Sequence, residues 1–152
     1  MKRFATLSAL FALGLLIGLN AVTITIGNGT HNQGWPFRTF YGFERSAALY
    51  TADQINATGF IDLVAWDCGI TSGMIVPYKI WLKNTTDTSM TAQPWQVITA
   101  TATLVKEGTY TPNTLGWHQF QLDFPFAYSG ASLIILVETN HGEYGDGNQS
   151  VQ

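Results

Sequence analysis

GWHQFQLDFPFAYSGASLIILVET, residues 116–139, decides the fold class. It reads as two paired β-strands. Phe120, Leu122 and Phe124 alternate with Gln119, Gln121 and Asp123; strand side chains point to opposite faces in turn, so this half has one dry and one wet face. From Leu133 to Val137 every side chain is apolar, which calls for cover on both faces, as at the centre of a sandwich. The run is too short for a helix. Pro125, Ser129 and Gly130 punctuate the turn between the halves, with Phe126 and Tyr128 expected to fold an aromatic lid over one end.

At the other end, Lys2 and Arg3 precede an uncharged apolar run, residues 4–19, with Ala21 as a small residue for cleavage. This pattern is expected to be an export leader, residues 1–21. The run is about 16 residues, short of the roughly 20 that a membrane span needs, and Gly14 and Gly18 interrupt it. Cleavage would place the product outside the cell or on its surface, with no membrane segment left. Removal of Lys2 and Arg3 leaves five basic against ten acidic side chains. A chain that acidic, with no basic stripe, is not expected to bind nucleic acid or anionic lipid. The remainder is expected to be one domain, residues 22–145, followed by a polar tail, residues 146–152. Cys68 is the only cysteine, so the core must hold the fold without an internal disulfide. Lying in the apolar run IDLVAWDCGI with no histidine nearby in sequence, it is expected to be a small buried hydrophobe rather than a nucleophile or metal ligand.

Taken in order, VTITIG, residues 22–27, alternates and is expected to be a first strand closed by Asn28-Gly29. The aromatics Trp35, Phe37, Phe40, Tyr41 and Phe43 are too dense for a solvated linker and are expected to pack in part. Residues 46–50 are expected to form the next strand. TADQINATG follows as a short helical turn, capped by Thr51 or Asp53 and ended by Gly59. Residues 60–70 read as a long internal strand. In PYKIWLKN, Tyr78, Ile80 and Leu82 face one side, and Lys79, Trp81 and Lys83 the other, a wet face that carries a tryptophan. NTTDTSMTAQP is a polar loop, and residues 95–98 are expected to dock on the sandwich as an irregular segment. Residues 101–105 form another strand, which Glu107-Gly108 is expected to break before a short piece around Tyr110. Seven or so strands at intervals of about 10 to 15 residues point to an all-β sandwich of jelly-roll or immunoglobulin-like type. The missing Cys-Trp-Cys spacing argues against a true immunoglobulin domain. Beyond Asn140 only turn formers and polar groups follow, so the sandwich is expected to be jelly-roll-like and to lack its last strands, leaving an edge for a neighbour to cover.

The order LYTADQI, GFIDLVAW, YKIWLKNTTDTSM, LVKEGTYT and GWHQFQLDFPFAYSGASLIILVETNHGEYG resembles a β-sandwich module of large secreted and surface proteins of Bacteroidetes-type bacteria, over about residues 49–145. The most telling pieces are Gly116, Trp117, Leu122, Pro125, Phe126, Tyr128 and Gly130, with the acidic-Asn turn of Glu138 and Asn140. The resemblance implies partners among other domains of the same or neighbouring surface proteins, such as fibronectin-like repeats, peptidase regions and a C-terminal sorting signal. It carries over no catalytic residue. Two departures stand out: Lys83-Asn84 replaces the family's Gly-His pair, and the family continues with extended segments past the Glu-Tyr-Gly turn.

The chemistry-bearing residues are sparse. His31, His118 and His141 have no ligand-like spacing, and no nucleophile elbow or phosphate-binding loop is present. Asp62, Asp67, Glu107, Glu138 and Glu143 could pair for glycoside hydrolysis, but any acidic sandwich has as many; no enzyme is expected. Calcium is the credible ion, with Glu138, Asn140, Glu143, Asp146 and Asn148 crowding a Gly-rich turn, although the same residues are ordinary turn formers. Trp35, Trp81, Trp95 and Trp117 could stack sugar rings, or could plug the ends of the sandwich. Sequons at Asn28, Asn56, Asn84 and Asn148 are expected by chance in a Thr-rich chain. The expectation is a non-catalytic extracellular module, structural or adhesive, within a larger secreted or cell-surface protein. The alternative is a carbohydrate-binding module accessory to a secreted hydrolase.

Overall fold

The structure is a computed structural model that describes residues 21–27, 36–37, 40–69 and 71–142. The leader up to residue 20 and the tail 146–152 fall outside these. Six strands and two short helices are described: β1 (Phe43–Tyr50), α1 (Ala52–Ile55), β2 (Gly59–Cys68), β3 (Val76–Thr85), α2 (Trp95–Thr99), β4 (Thr103–Tyr110), β5 (Gly116–Tyr128) and β6 (Ser132–Asn140). They form an all-β fold of two antiparallel sheets, one of four strands in the order β1-β6-β3-β4 and one of two, β2-β5.

The two halves of residues 116–139 are both strands, but they do not pair with each other. β5 pairs with β2, and β6 lies between β1 and β3 in the other sheet. The reason lies in their faces. β6 is apolar on both sides and needs a central place; its Leu133 and Val137 join the core between the sheets while Ile134 and Leu136 join a second cluster outside. β5 has one wet face and suits the smaller sheet, whose outer side meets solvent. Three residues carry the chain across. Asn84 of β3 clamps both flanks of this corner: its Nδ2 donates to Ala127 O at 2.9 Å and its Oδ1 accepts from Ser129 N at 3.0 Å. The Tyr128 hydroxyl donates to Ala131 O. Gly130 has φ +81°, and an added Cβ would stand 2.6 Å from Thr58 Cγ2, so the corner accepts only glycine without rearrangement.

Pro125 does not end β5, which continues to Tyr128. Instead the pairing slips: Ile61 faces Phe126 but Leu63 faces Gln121, so Asp62 alone opposes residues 122–125. Such a bulge tolerates a proline that lacks a ladder donor, and it turns Phe124 into solvent, where alternation had placed it on the dry face. β4 runs unbroken through Glu107 and Gly108, because Tyr78 of β3 packs over the glycine and the pairing on β3 carries it past. A bulge at Val105 absorbs the register change there. VTITIG forms no strand; residues 21–26 belong to no sheet. α1 follows its sequence cue, with Thr51 N donating to Gln54 Oε1 at 2.9 Å, but Asn56 in the left-handed region ends it and Gly59 opens β2.

The core sits between the sheets. Val64, Phe120, Leu122, Phe126 and Tyr128 on one side meet Tyr78, Ile80, Leu82, Val105, Leu133 and Val137 on the other. Phe37 is wholly buried among them, stacked on Phe120 with centroids 4.8 Å apart and edge-on to Trp66 at 5.3 Å. Phe40, Tyr41 and Phe43, by contrast, are exposed. Lys106 of β4 donates to Asp123 of β5 at 2.5 Å and ties the two sheets along one side. α2 docks on the outer face of the four-stranded sheet as a helical turn, through Ile98 and Trp95.

Candidate functional site

The outer face of β2-β5 is the solvent-facing sheet surface with a large aromatic side chain at its pairing centre line. Trp117 stands directly opposite Asp67 and is 55% exposed. Next along the same face come Gln119 opposite Ala65, then Gln121 opposite Leu63. Alternation puts these on one side because Phe120, Leu122, Val64 and Trp66 take the other. Gly116, with φ +101°, makes the turn that aims Trp117 outward. Behind it, His118 Nε2 lies 2.9 Å from Thr114 O, which holds that turn. Gln121 Nε2 donates to Asp62 O at 2.7 Å, leaving its carbonyl oxygen for a ligand. Indole, amide and carboxylate in one row can stack an apolar ring face and accept or donate hydrogen bonds at its rim.

Trp81 and Trp95 lie elsewhere. They meet edge to face, centroids 5.8 Å apart, on the outer side of the four-stranded sheet, packed with Ile134, Leu136, Ile98 and Leu49. The wet face expected for Trp81 is covered by α2, and Trp81 is half-buried. Arg45 extends this cluster, its guanidinium 4.6 Å from the Phe43 ring and 5.4 Å from Trp95 while Nε donates to Glu138 at 2.7 Å. Trp35 lies outside the described residues. The tryptophans therefore cannot form one platform: Trp117 is separated from Trp81 and Trp95 by the thickness of the sandwich.

The acidic residues scatter likewise. Glu138 is engaged by Arg45, Glu107 lies 3.7 Å from Lys79, and Asp123 accepts from Lys106. Glu143, Asp146 and Asn148 of the expected calcium turn lie outside the described residues, leaving Glu138 and Asn140 at the end of β6. Among the described residues no group of three or more His, Cys, Asp and Glu converges to hold a metal ion. The chain matches no family model, no curated protein and no solved structure.

One cleft was not legible in the sequence. A cavity of about 420 Å³, lined by Thr86, Asp87, Thr88, Ser89, Met90, Thr91, Gln93 and Ile134, opens between β3 and α2. It is rich in hydroxyls and poor in apolar lining, whereas ligand sites are mostly apolar with a few polar groups. The sequence marks it only as a polar loop; that Ile134 of β6 joins its lining is decided by the tertiary fold.

Cys68 is buried, with its Sγ 3.4 Å from the Tyr110 hydroxyl. Burial pushes its thiol up, the neighbouring Asp67 charge acts in the same direction, and the Tyr110 hydrogen bond opposes them. Because the thiolate is the nucleophile, a raised pKa means little reactive form at neutral pH. Alkylation by iodoacetamide is expected to be far slower in the folded chain than in denaturant at the same pH, and to accelerate only above the ordinary thiol range. Equal rates in the two states would show that Cys68 is accessible and ionised.

Proposed function

We propose that this chain is a non-catalytic extracellular β-sandwich module, structural or adhesive, that works by surface contact within a larger secreted or cell-surface protein. The observation that carries this reading is the set of large apolar side chains standing in solvent along the two-stranded sheet, with Phe60 75% exposed and Trp117 55% exposed, alongside Leu115 and Phe124. Exposed aromatic surface of that kind marks a place where another molecule sits. The charge balance, with ten acidic against seven basic side chains, disfavours nucleic acid or an anionic lipid surface as that molecule. Export through the N-terminal leader, and kinship with the Bacteroidetes-type surface modules, belong to the same proposal and rest on the residues quoted for them.

The sandwich itself is read as jelly-roll-like. What supports this is the nesting of the pairs: the first described strand beside the last, β1 with β6, and the second beside the next to last, β2 with β5. A chain folded double and wrapped around a barrel axis produces that order.

A second reading, a carbohydrate-binding module accessory to a secreted hydrolase, is favoured by one feature, the row of Trp117, Asp67, Gln119 and Gln121 on an open sheet face. One experiment separates the two. The purified chain is incubated with a panel of insoluble and soluble polysaccharides, and both depletion from solution and release of reducing ends are measured. On the second reading, Trp117→Ala abolishes retention on a polysaccharide, with a loss of about 10-fold or more, while Trp81→Ala retains binding as long as it stays folded. Absence of retention across the panel favours the structural reading. Release of reducing ends would overturn both.

A further inference from the structure

The outer face of β2-β5 carries an aromatic ring near each of its ends. Trp117, opposite Asp67, is one of them and is 55% exposed. The other is Phe60, 75% exposed. It pairs with Ala127, and the adjacent pair, Ile61 with Phe126, is turned into the core; alternation therefore sends Phe60 outward, to the side that Trp117 occupies. Asp67 and Phe60 lie seven residues apart on β2, which sets the two rings roughly 20 Å apart along the strand. Between them the face shows Gln119 beside Ala65 and Gln121 beside Leu63.

The chemistry of this row selects its ligand. Two rings set so far apart fit one long molecule with several flat apolar faces, since no single ring spans them. The polar side chains between them are amides, which donate and accept at once and so suit hydroxyl groups. Neither strand contains a lysine or an arginine. The one charge among these paired residues is Asp67, and Asp62 in the bulge has the same sign, so an acidic ligand meets repulsion and no counter-charge. A peptide that adds to a sheet does so through main-chain hydrogen bonds at an edge, whereas the middle of a face offers only side chains. A neutral polysaccharide combines apolar ring faces that stack on aromatic side chains with hydroxyls at their rims.

We propose that this face binds a neutral polysaccharide lying along β2 and β5, with Trp117 and Phe60 each stacking a sugar ring and Gln119, Gln121 and Asp67 hydrogen-bonding to its hydroxyls. This rests on the carbohydrate-binding reading given above and adds to it the class of glycan, the second ring and the length of chain. A glycan that touches both rings binds in two places at once, so affinity rises with chain length until both are reached.

The test is affinity electrophoresis of the purified chain in gels containing hydroxyethylcellulose, galactomannan or, as the acidic comparison, polygalacturonate. Oligosaccharides of whichever neutral polymer retards it are then titrated calorimetrically, from the disaccharide to the hexasaccharide. Phe60→Ala and Trp117→Ala, both at exposed positions, are run beside the parent once their thermal unfolding is shown to match it. A neutral polymer is expected to retard the parent more than polygalacturonate does. Each variant is expected to weaken binding of the longest oligosaccharide by about 10-fold, while Phe60→Ala leaves the disaccharide nearly unaffected. Absence of retardation in every gel overturns both this proposal and the carbohydrate-binding reading, and leaves the face to a protein contact. Binding that is lost in Trp117→Ala but indifferent to Phe60→Ala, binding that does not grow with chain length, or stronger retardation by polygalacturonate overturns this proposal and spares the reading. Binding indifferent to both substitutions places the glycan elsewhere and overturns the proposal as well.

Discussion

Replacing Phe37 with alanine is expected to lower the free energy of unfolding by about 3 to 5 kcal/mol, the usual range for a buried phenylalanine emptied from a core. Phe37 is wholly buried and touches four aromatic rings from four strands: Trp66 of β2, Tyr78 of β3, Tyr110 of β4 and Phe120 of β5. It therefore links both sheets. The ring stacked on it, Phe120, is itself packed edge-on by Tyr78 at 5.1 Å and Trp66 at 5.5 Å, and a close-packed group of this kind cannot collapse into the gap without moving strands. Urea unfolding followed by tryptophan fluorescence measures the loss, since Trp66 lies at the site. A change below about 1 kcal/mol would show that the residue is not the plug between the sheets. Phe37→Leu, which keeps most of the volume, is expected to recover the greater part.

Leu136→Ala is expected to cost about 2 to 5 kcal/mol by the same mechanism. Its distinguishing effect is local. Leu136 is wholly buried on the outer side of β6, paired with Ala47 and Trp81 and packed with Ile98 of α2 and Trp95. Removing it undercuts the seat of α2, so amide exchange in residues 95–99 is expected to accelerate more than in β2 and β5, whose packing is on the other sheet. Uniform acceleration across both sheets would mean that α2 is not separately seated. Trp117→Ala, by contrast, is expected to leave stability nearly unchanged, because Trp117 packs into neither cluster.

How far the sequence carried depends on what kind of information a pattern holds. In β3 the alternation of Tyr78, Ile80 and Leu82 with Lys79, Trp81 and Lys83 predicts the faces, and the first three are buried in the core. For residues 116–139 alternation found both strands and the two-sided cover of β6, but not their partners. Period two reports which way a side chain points; pairing depends on how much surface each neighbour can cover, and a three-residue turn serves a hairpin or a crossing between sheets equally well. Trp81 sits at a wet-face position by period, but α2, remote in sequence, covers it. Phe37 has no periodic neighbours at all; only its place among four rings shows that it is core. VTITIG has the strongest local strand pattern in its region and no strand, because a strand requires a second one beside it.

By itself the sequence determined the all-β class, the dry face of β3, the short helical turn after Tyr50 and the burial of Cys68, all of which follow from local composition and side-chain periodicity. Only the tertiary structure decided that β5 and β6 part into different sheets, and that Trp117 looks outward while Trp81 is covered by α2 and packs against its Trp95. The physical reason is that direction is a property of the backbone's own repeat, whereas cover is supplied by residues far along the chain.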